Sequence, residues 1–219
     1  PEQQAQLESA ALIAKKIKSG YSYDKSAPVT VQLPMKVKAY QDQIKNVKFP
    51  CVSTPKLNGV NAIFKRVDGV LTIYSRGGEV YPSIAHIEPE VSTIMDFIKS
   101  NELNGELYIH REHLRDIQSA VKKHNELSKR LEFAIFDIAD SKAKYIHRRN
   151  SIIATAEAIN QGGEDLTPNL SFLTGIICNS YEDIETHYNQ CIASKLEGTV
   201  IKNFDGLYKH NVRSSDQFK

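Results

Sequence analysis

Apolar side chains recur at two spacings along the chain, every third or fourth position in some segments and every second position in others. The first spacing is that of an α-helix and the second is that of a β-strand. Helices are therefore predicted over residues 2–19, 88–100, 111–126, 146–160 and 180–194. Strands are predicted over residues 60–67, 70–75, 103–109, 131–138, 171–178 and 196–202. Residues 21–47, interrupted by Pro28 and Pro34, predict an ordered connector, and the chain becomes strand-rich from about residue 48.

The order of these elements predicts the fold class. Asp68-Gly69 separates the first two strands, and both residues tolerate the positive φ of a tight hairpin turn. Hairpins combined with strands that alternate with helices are typical of α+β proteins with mainly antiparallel sheets flanked by helices. We expect residues 1–47 to be an N-terminal helix and connector packed on the main domain, which comprises residues 48–219.

The composition is that of an ordinary globular protein, with 219 residues of which 41% are hydrophobic and 25% are charged. The net charge of +2 does not by itself identify a nucleic-acid binder. The three cysteines are too few and too scattered for a disulfide framework, and none forms the C-x-x-C pair of a zinc site. The chain has neither a long apolar run nor a signal-peptide pattern, so we expect an intracellular protein without membrane attachment.

The most informative segment is Pro55-Lys56-Leu57-Asn58-Gly59, where a lysine follows a strand-like run and precedes a glycine turn. A lysine becomes a nucleophile when desolvation or neighbouring cations favour its neutral form. A glycine beside it lets a phosphate approach the backbone closely. A solvent-facing lysine at the tip of a β-turn explains the same tetrapeptide, so this segment alone does not establish a catalytic site.

Two glutamates stand in strand contexts. Glu106 lies inside an apolar strand, where a carboxylate needs a cation, a metal or a hydroxyl as its partner. Glu197 opens a β-branched strand that Lys202 closes, and their odd spacing puts them on opposite faces unless a bulge at Gly198 re-aims one. Ordinary charged residues on an outward face or at a strand end remain the alternative for all three.

Other candidates are an aromatic residue and two groups of basic residues. Phe136 is either a core residue or a stacking face for a purine base. The tail 213–219 is basic and polar and is expected to be solvated. Lys142–Arg149 and Lys122-Lys123 could contact nucleic-acid phosphates, although a solvated charge run is the alternative for each and is favoured for the second.

Taken in order, these segments resemble the motifs of the covalent nucleotidyltransferases, a family that includes ATP-dependent DNA ligases, RNA ligases and mRNA capping enzymes. Within it the sequence is most similar to the small DNA ligases of bacteriophages. The similarity is carried by Pro34-Met35 and by the runs FPCVSTPKLNGV, NGELYIHREHLRDIQSAVKKH and LEFAIFDI. It extends over essentially the whole chain, most specifically residues 48–219, and it implies the ATP-grasp-like adenylation fold of ligases.

The resemblance implies that Lys56 attacks the α-phosphate of ATP and becomes a lysine–AMP phosphoramidate. The AMP then passes to the 5′-phosphate of nicked double-stranded DNA, and the 3′-hydroxyl seals the nick, which implies a role in DNA repair, replication and recombination. Matching positions assign the nucleotide to Thr54, Lys56, Asn61, Arg76, Glu106, Phe136, Lys202 and Lys219. The resemblance assigns binding of the divalent metal, Mg²⁺, to Glu106 and Glu197. It assigns contacts with DNA phosphates to Arg76, Lys142, Lys144, Arg148, Arg149 and Arg213.

The chain also departs from the family pattern Lys-x-Asp-Gly-x-Arg. Asn58 keeps the shape of the aspartate without its charge, and Asn61 replaces an arginine whose donor fork an amide cannot supply. An OB-type domain follows in family members, and we expect the present protein to lack it. We expect a monomer in the cytoplasm of a virus-infected bacterial host. An RNA ligase or capping-type enzyme, or a catalytically weakened nucleotide- or nucleic-acid-binding module, remains the alternative function.

Overall fold

Two five-stranded sheets form the framework of the protein in the computed structural model, which describes residues 2–18, 32–161 and 167–219. The first sheet has the order β1-β10-β9-β2-β8 and contains β1 (Lys36–Lys38), β2 (Cys51–Lys56), β8 (Ile176–Cys178), β9 (Gly198–Asn203) and β10 (Arg213–Phe218). The second sheet has the order β4-β3-β5-β6-β7 and contains β3 (Val60–Val67), β4 (Val70–Ser75), β5 (Glu102–Tyr108), β6 (Glu132–Ile138) and β7 (Leu170–Phe172).

Five α-helices accompany the sheets in the described residues. They are α1 (Glu2–Lys18), α2 (Glu88–Ile98), α3 (Leu114–Lys122), α4 (Tyr145–Gln161) and α5 (Tyr181–Ala193). Short 3₁₀ turns occupy Ile44–Asn46 and Glu126–Arg130. All strand pairs are antiparallel except β1 with β10 and β6 with β7. The predicted α+β class with mainly antiparallel sheets is confirmed.

Each sheet has its own hydrophobic core. On the second sheet, the rings of Phe64 and Phe133 meet at 4.5 Å between centroids, and buried residues of α2, α3 and α4 pack around them. On the first sheet, Ile184 of α5 packs with the strand residues Cys51, Ile201 and Phe218. Helices α2 to α5 thus cover the sheets.

The predicted hairpin is confirmed residue by residue. β3 and β4 pair from Ala62 opposite Ser75 to Val67 opposite Val70. Asp68 and Gly69 both have positive φ, at 50° and 80°, as the turn chemistry requires.

Two predictions of local structure were wrong, and one predicted helix is shorter than expected. Residues 171–178 are two short strands in different sheets, because the chain turns at Gly175, whose φ is +61°. The tail 213–219 is strand β10 and pairs with β9, so it is not a solvated tail. The predicted helix over 111–126 is confined to α3 and is followed by the turn Glu126–Arg130.

The N-terminal segment is less involved in the core. α1 agrees with the predicted helix, and its apolar residues Leu7 and Leu12 are exposed. The first part of the predicted connector, residues 21–31, lies outside the described residues, whereas Lys36–Lys38 joins the first sheet beside β10. No helix in the described ranges is long and apolar enough to cross a membrane.

Candidate active site

A cleft of about 280 Å³ separates the two sheets where the chain passes from one to the other. β2 ends at Lys56, residues 57–59 form the crossing turn, and β3 begins at Val60. Lining residues come from β2, β9 and β10 of the first sheet and from β3, β5 and β6 of the second. All eight residues predicted to contact a nucleotide line this cleft, namely Thr54, Lys56, Asn61, Arg76, Glu106, Phe136, Lys202 and Lys219.

Lys56 stands at the mouth of this cleft. Its ammonium group pairs with the carboxylate of Glu197, and its backbone oxygen accepts from the Glu197 amide at 3.0 Å. The side chain of Lys56 is 22% exposed, so it is shielded yet reachable. Gly198 follows with φ of 139° and lets the chain enter β9 directly after Glu197. This local geometry brings Glu197 to Lys56 while Lys202, on the same strand, faces the cleft.

Glu106 approaches the same point from the second sheet. Burial raises the pKa of this carboxyl to about 7, against the opposing influence of the Lys56 and Arg76 charges. Glycine is required at position 59 because a Cβ there would lie 2.8 Å from Cγ of Glu106 and 2.5 Å from the Leu107 oxygen. The crossing turn therefore rests directly on β5, and this contact holds Lys56 near Glu106.

Lys202 forms the floor of the cleft. Its ammonium donates to the Phe136 oxygen at 3.0 Å and lies 5.0 Å and 4.6 Å from the ring centroids of Phe136 and Tyr145. Burial lowers its pKa to about 8, although Asp137 favours the charged form. A buried cation facing a cleft is well placed to bind an anion such as a phosphate.

Arg148 corrects one sequence prediction. Its guanidinium is 1% exposed and makes a bidentate ion pair with Asp137, at 2.6 and 3.2 Å. It also donates to the backbone oxygens of Ala143 and Gly206. With these groups engaged in the interior, Arg148 cannot contact a DNA phosphate; it ties α4 to β6.

Arg149 is engaged in a similar way. Its guanidinium donates to the Thr174 oxygen at 2.6 Å and to the Gly175 oxygen at 3.0 Å. These bonds hold the bend between β7 and β8, which speaks against a role in binding phosphate. Lys142 and Lys144 of the same basic run are exposed.

The other predicted residues occupy distinct places. Thr54 is buried and donates its hydroxyl to the Val200 oxygen at 3.0 Å, and the exposed Arg76 follows β4 at the cleft edge. Lys219 is held by backbone bonds to Lys38 and Tyr40. Arg213, at the other end of β10, donates to the Val37 oxygen at 2.6 Å and lies outside the cleft.

A polar network at the back of the cleft was not predicted from the sequence. Asn61 donates to Oδ1 of Asn104 at 2.9 Å, and Asn104 donates to the hydroxyl of Tyr208 at 2.7 Å. Asn104 shares a strand face with Glu106, two positions later, and this alternation was the available signal. Tyr208 lies in an irregular segment and offered no local signal.

A second cleft of about 730 Å³ lies on the opposite face of the first sheet, under α5. Lys56 and Lys219 line both clefts, whereas Glu197 lines only this one. The predicted metal residues therefore reach Lys56 from two sides, Glu106 from the first cleft and Glu197 from the second. Among the residues that the structure describes, no group of three or more His, Cys, Asp or Glu side chains is arranged to hold a metal ion by itself.

Comparison with known proteins identifies a matching family and related proteins. The family model described as ATP dependent DNA ligase domain matches residues 32–219. A probable DNA ligase of Dictyoglomus thermophilum is 24% identical over 213 residues, which is 88% of this chain and 34% of that protein. The chain thus spans about a third of the length of this relative.

Solved structures share the fold. The Chlorella virus DNA ligase-adenylate superposes with a TM-score of 0.62 at 20% identity, covering 85% of this chain and 67% of that one. The ATP-dependent DNA ligase of bacteriophage T7, in complex with ATP, also gives a TM-score of 0.62, at 14% identity, covering 87% and 69%.

Proposed function

Because the chain belongs to the ATP-dependent DNA ligase domain family, we propose that it is a ligase adenylation domain in which Lys56 carries AMP covalently. The observation that supports this most directly is the position of Lys56, at the mouth of a cleft whose walls bear two further lysines, an arginine and a half-buried aromatic ring. Nζ of Lys56 attacks the α-phosphorus of ATP. The N–P bond forms, the bond to the bridging oxygen breaks, and pyrophosphate leaves with the electron pair.

Charge and hydrogen bonding assign the other roles. Lys202, Lys219 and Arg76 offer positive charge to the phosphates, where negative charge develops during transfer. Glu197, paired with Lys56, is placed to take the proton that the lysine must lose before it attacks. Glu106 offers an acceptor to the ribose, and Phe136 offers its ring to adenine.

We propose that Mg²⁺ binds beside Lys56. Mg²⁺ is commonly held by one or two carboxylates together with substrate phosphates, and Glu106 and Glu197 flank Lys56 in that number. These two residues would hold the ion. Bound there, it would supply charge neutralisation at the phosphate oxygens.

Intact-protein mass spectrometry tests the first step. The protein is incubated with ATP and Mg²⁺, and a mass gain of one AMP is expected for the wild type. The Lys56→Ala variant should show no gain. Absence of the adduct in a folded wild-type sample would instead favour the alternative of a binding module that lacks catalysis.

The acceptor is proposed to be nicked double-stranded DNA, with the 5′-phosphate receiving AMP and the 3′-hydroxyl closing the nick. Asn58, in place of the family aspartate, keeps an RNA ligase or capping-type enzyme as the rival. The adenylated protein is therefore offered nicked DNA and nicked RNA in parallel. Preferential loss of the adduct to RNA would select the rival.

Further proposals concern the oligomeric state, the location and the domain division of the protein. We propose a monomer that acts inside the cell, without a membrane, in the cytoplasm of a virus-infected bacterial host and in DNA repair, replication or recombination. We also propose that the chain divides into an N-terminal part, residues 1–47, and a catalytic domain, residues 48–219.

A further inference from the structure

A tyrosine ring on α5 covers the glycine that follows Glu197. Gly198 is buried, whereas Glu197 beside it is exposed. A Cβ at position 198 would lie 3.1 Å from Cε2 and 3.6 Å from Cδ2 of Tyr188, so one edge of that ring rests against the Gly198 backbone. We propose that Tyr188 is a positioning residue whose ring holds the Glu197 carboxylate against the Lys56 ammonium. The kinetic consequence of this contact rests on the proposed function, whereas the contact itself does not.

The ion pair between Lys56 and Glu197 does not fix its own geometry. The two side chains are 22% and 46% exposed. An ion pair that is open to water is only weakly stabilising, because water screens the charges and both long side chains lose rotamer freedom on pairing. The backbone that carries Glu197 must therefore determine where its carboxylate lies.

The backbone before Glu197 is held by the end of α5 and by β2. Residues 194–197 are the short link between α5 and β9. Within this link the Leu196 amide donates to the Cys191 oxygen at 3.0 Å, and the Glu197 amide donates to the Lys56 oxygen at 3.0 Å. These two bonds fix the chain up to the amide of Glu197.

Gly198 is the flexible point on the other side of Glu197. It lies opposite Lys56 in the β2–β9 register, and its φ of 139° is a conformation that other residues rarely adopt. Glycine has no side chain to pack, so a neighbour must restrict its backbone. Apart from its chain neighbours, Tyr188 is the only described residue within 4 Å of the position that a Cβ would take there.

Tyr188 is held in place through the residue before it. His187 is buried, and its Nδ1 shares a hydrogen bond of 2.7 Å with Oγ of Ser53 on β2. Burial lowers the pKa of His187, which favours the neutral ring. Ser53 precedes Lys56 by three positions on the same strand. The strand that carries Lys56 thus fixes the helix that carries Tyr188.

Chemical labelling of Lys56 tests the contact without catalysis. After incubation with pyrophosphate, which reverses any adenylation, the protein is treated with N-hydroxysuccinimide acetate in the absence of ATP. Peptide mass spectrometry gives the acetylation rate of Lys56 relative to that of the exposed Lys209. In Tyr188→Ala the carboxylate that covers the amine should move away, so this ratio should rise severalfold. Tyr188→Phe keeps the ring edge and should give the wild-type ratio.

The rate of adduct formation provides a second readout. Tyr188 lines the second cleft, whereas the nucleotide is proposed to occupy the first. Tyr188→Ala should therefore lower the rate of AMP transfer to Lys56 at saturating ATP by about tenfold or more, because a small displacement of a reacting group is costly. The ATP concentration that gives half the maximal rate should stay unchanged. Tyr188→Phe should restore the rate.

Tyr181 provides the matched control. It lies on the same helix, lines the same cleft and is 47% exposed, against 45% for Tyr188. Its ring meets Phe49 edge-on at 4.8 Å between centroids, rather than Gly198. Tyr181→Ala removes the same group and should keep both the labelling ratio and the rate of AMP transfer. Equal effects of Tyr181→Ala and Tyr188→Ala would overturn the positioning role and assign the changes to a general loosening of α5.

The outcomes separate this inference from the proposed function. If the labelling ratio rises in Tyr188→Ala but the wild type forms no AMP adduct, the positioning contact stands and the catalytic proposal falls. An unchanged ratio in Tyr188→Ala overturns the contact even if the adduct forms on Lys56. Failure of Tyr188→Phe to restore the ratio overturns it as well, because the ring edge would then not be the group that acts.

Discussion

Burial acts in opposite directions on the pKa values of the two charged residues deepest in the first cleft. The pKa of Glu106 is raised to about 7 and that of Lys202 is lowered to about 8. Both shifts favour the neutral form, because each charge is removed from water. A triphosphate beside Lys202 would add a negative charge that favours the charged ammonium. Binding of an anionic ligand would therefore stabilise the charged form of Lys202.

Nucleotide binding should therefore weaken as the pH rises through the pKa of Lys202. Below about 8 the free protein already carries this charge, and above it a proton must be taken up on binding. The dissociation constant of α,β-methylene ATP, measured by calorimetry, should rise by up to about tenfold per pH unit above that point.

Two variants isolate this effect. Lys202→Met removes the titrating group, so it should bind weakly already near neutral pH and lose this part of the pH dependence. Lys209→Met removes an exposed lysine outside the cleft and should follow the wild-type curve. A Lys202→Met curve that keeps the wild-type slope would assign the titration to another group.

At the scale of elements, the crossing turn between the sheets depends on its contact with β5. Gly59→Ala places a Cβ against Glu106 and Leu107, and the Leu107 atoms are backbone, which cannot rotate away. We expect the turn to shift, with a loss of about 1–3 kcal/mol in the free energy of unfolding. Denaturant titration gives this loss, and adduct formation on Lys56 should fall with it because Lys56 moves from Glu106.

A second glycine provides the control for this substitution. Gly77→Ala adds the same methyl group where the nearest atom, Oγ of Ser75, lies at an ordinary contact distance of 3.7 Å. Both the unfolding free energy and the adduct yield should remain near those of the wild type. If Gly59→Ala behaves like Gly77→Ala, the close packing of the turn on β5 does not control the site.

Elements with a local signal could be predicted from the sequence, whereas elements set by contacts between distant segments could not. The β3–β4 hairpin was predicted to the residue because Asp68-Gly69 is a local signal. The break at Gly175 was missed because it arises where residues 173–175 pass against β2, a contact between segments far apart in the chain. β10 was missed because its pairing with β9 and β1 overrides a polar sequence.

The candidate site likewise contains residues with a local sequence signal and residues without one. Lys56 and Glu106 could be singled out as candidates because each stands in an unusual local context, a lysine at a glycine turn and a carboxylate in an apolar strand. Arg148 was misplaced because its partner Asp137 lies on another element and the sequence shows only a basic run. Asn104 and Tyr208 matter through contacts about a hundred positions apart, which no local pattern reveals.

For the whole molecule, the net charge of +2 does not show which basic side chains can contact a phosphate. Arg148 and Arg149 are hydrogen-bonded to acceptors of the protein itself, whereas Lys142 and Lys144 are exposed in the loop between β6 and α4. This loop bridges to Leu207, beside the Tyr208 end of the first cleft. The two lysines are therefore the members of the basic run that remain candidates for DNA phosphates.

Salt dependence of binding to nicked DNA tests this assignment. Each phosphate contact adds about 0.9 to the slope of log affinity against log salt concentration, because counterions are released. The paired substitution Lys142→Ala and Lys144→Ala should lower the slope by about two. The pair Lys122→Ala and Lys123→Ala removes equal charge from the end of α3 and should leave the slope unchanged. Equal losses in both pairs would mean that overall charge, rather than a contact at this loop, governs affinity for DNA.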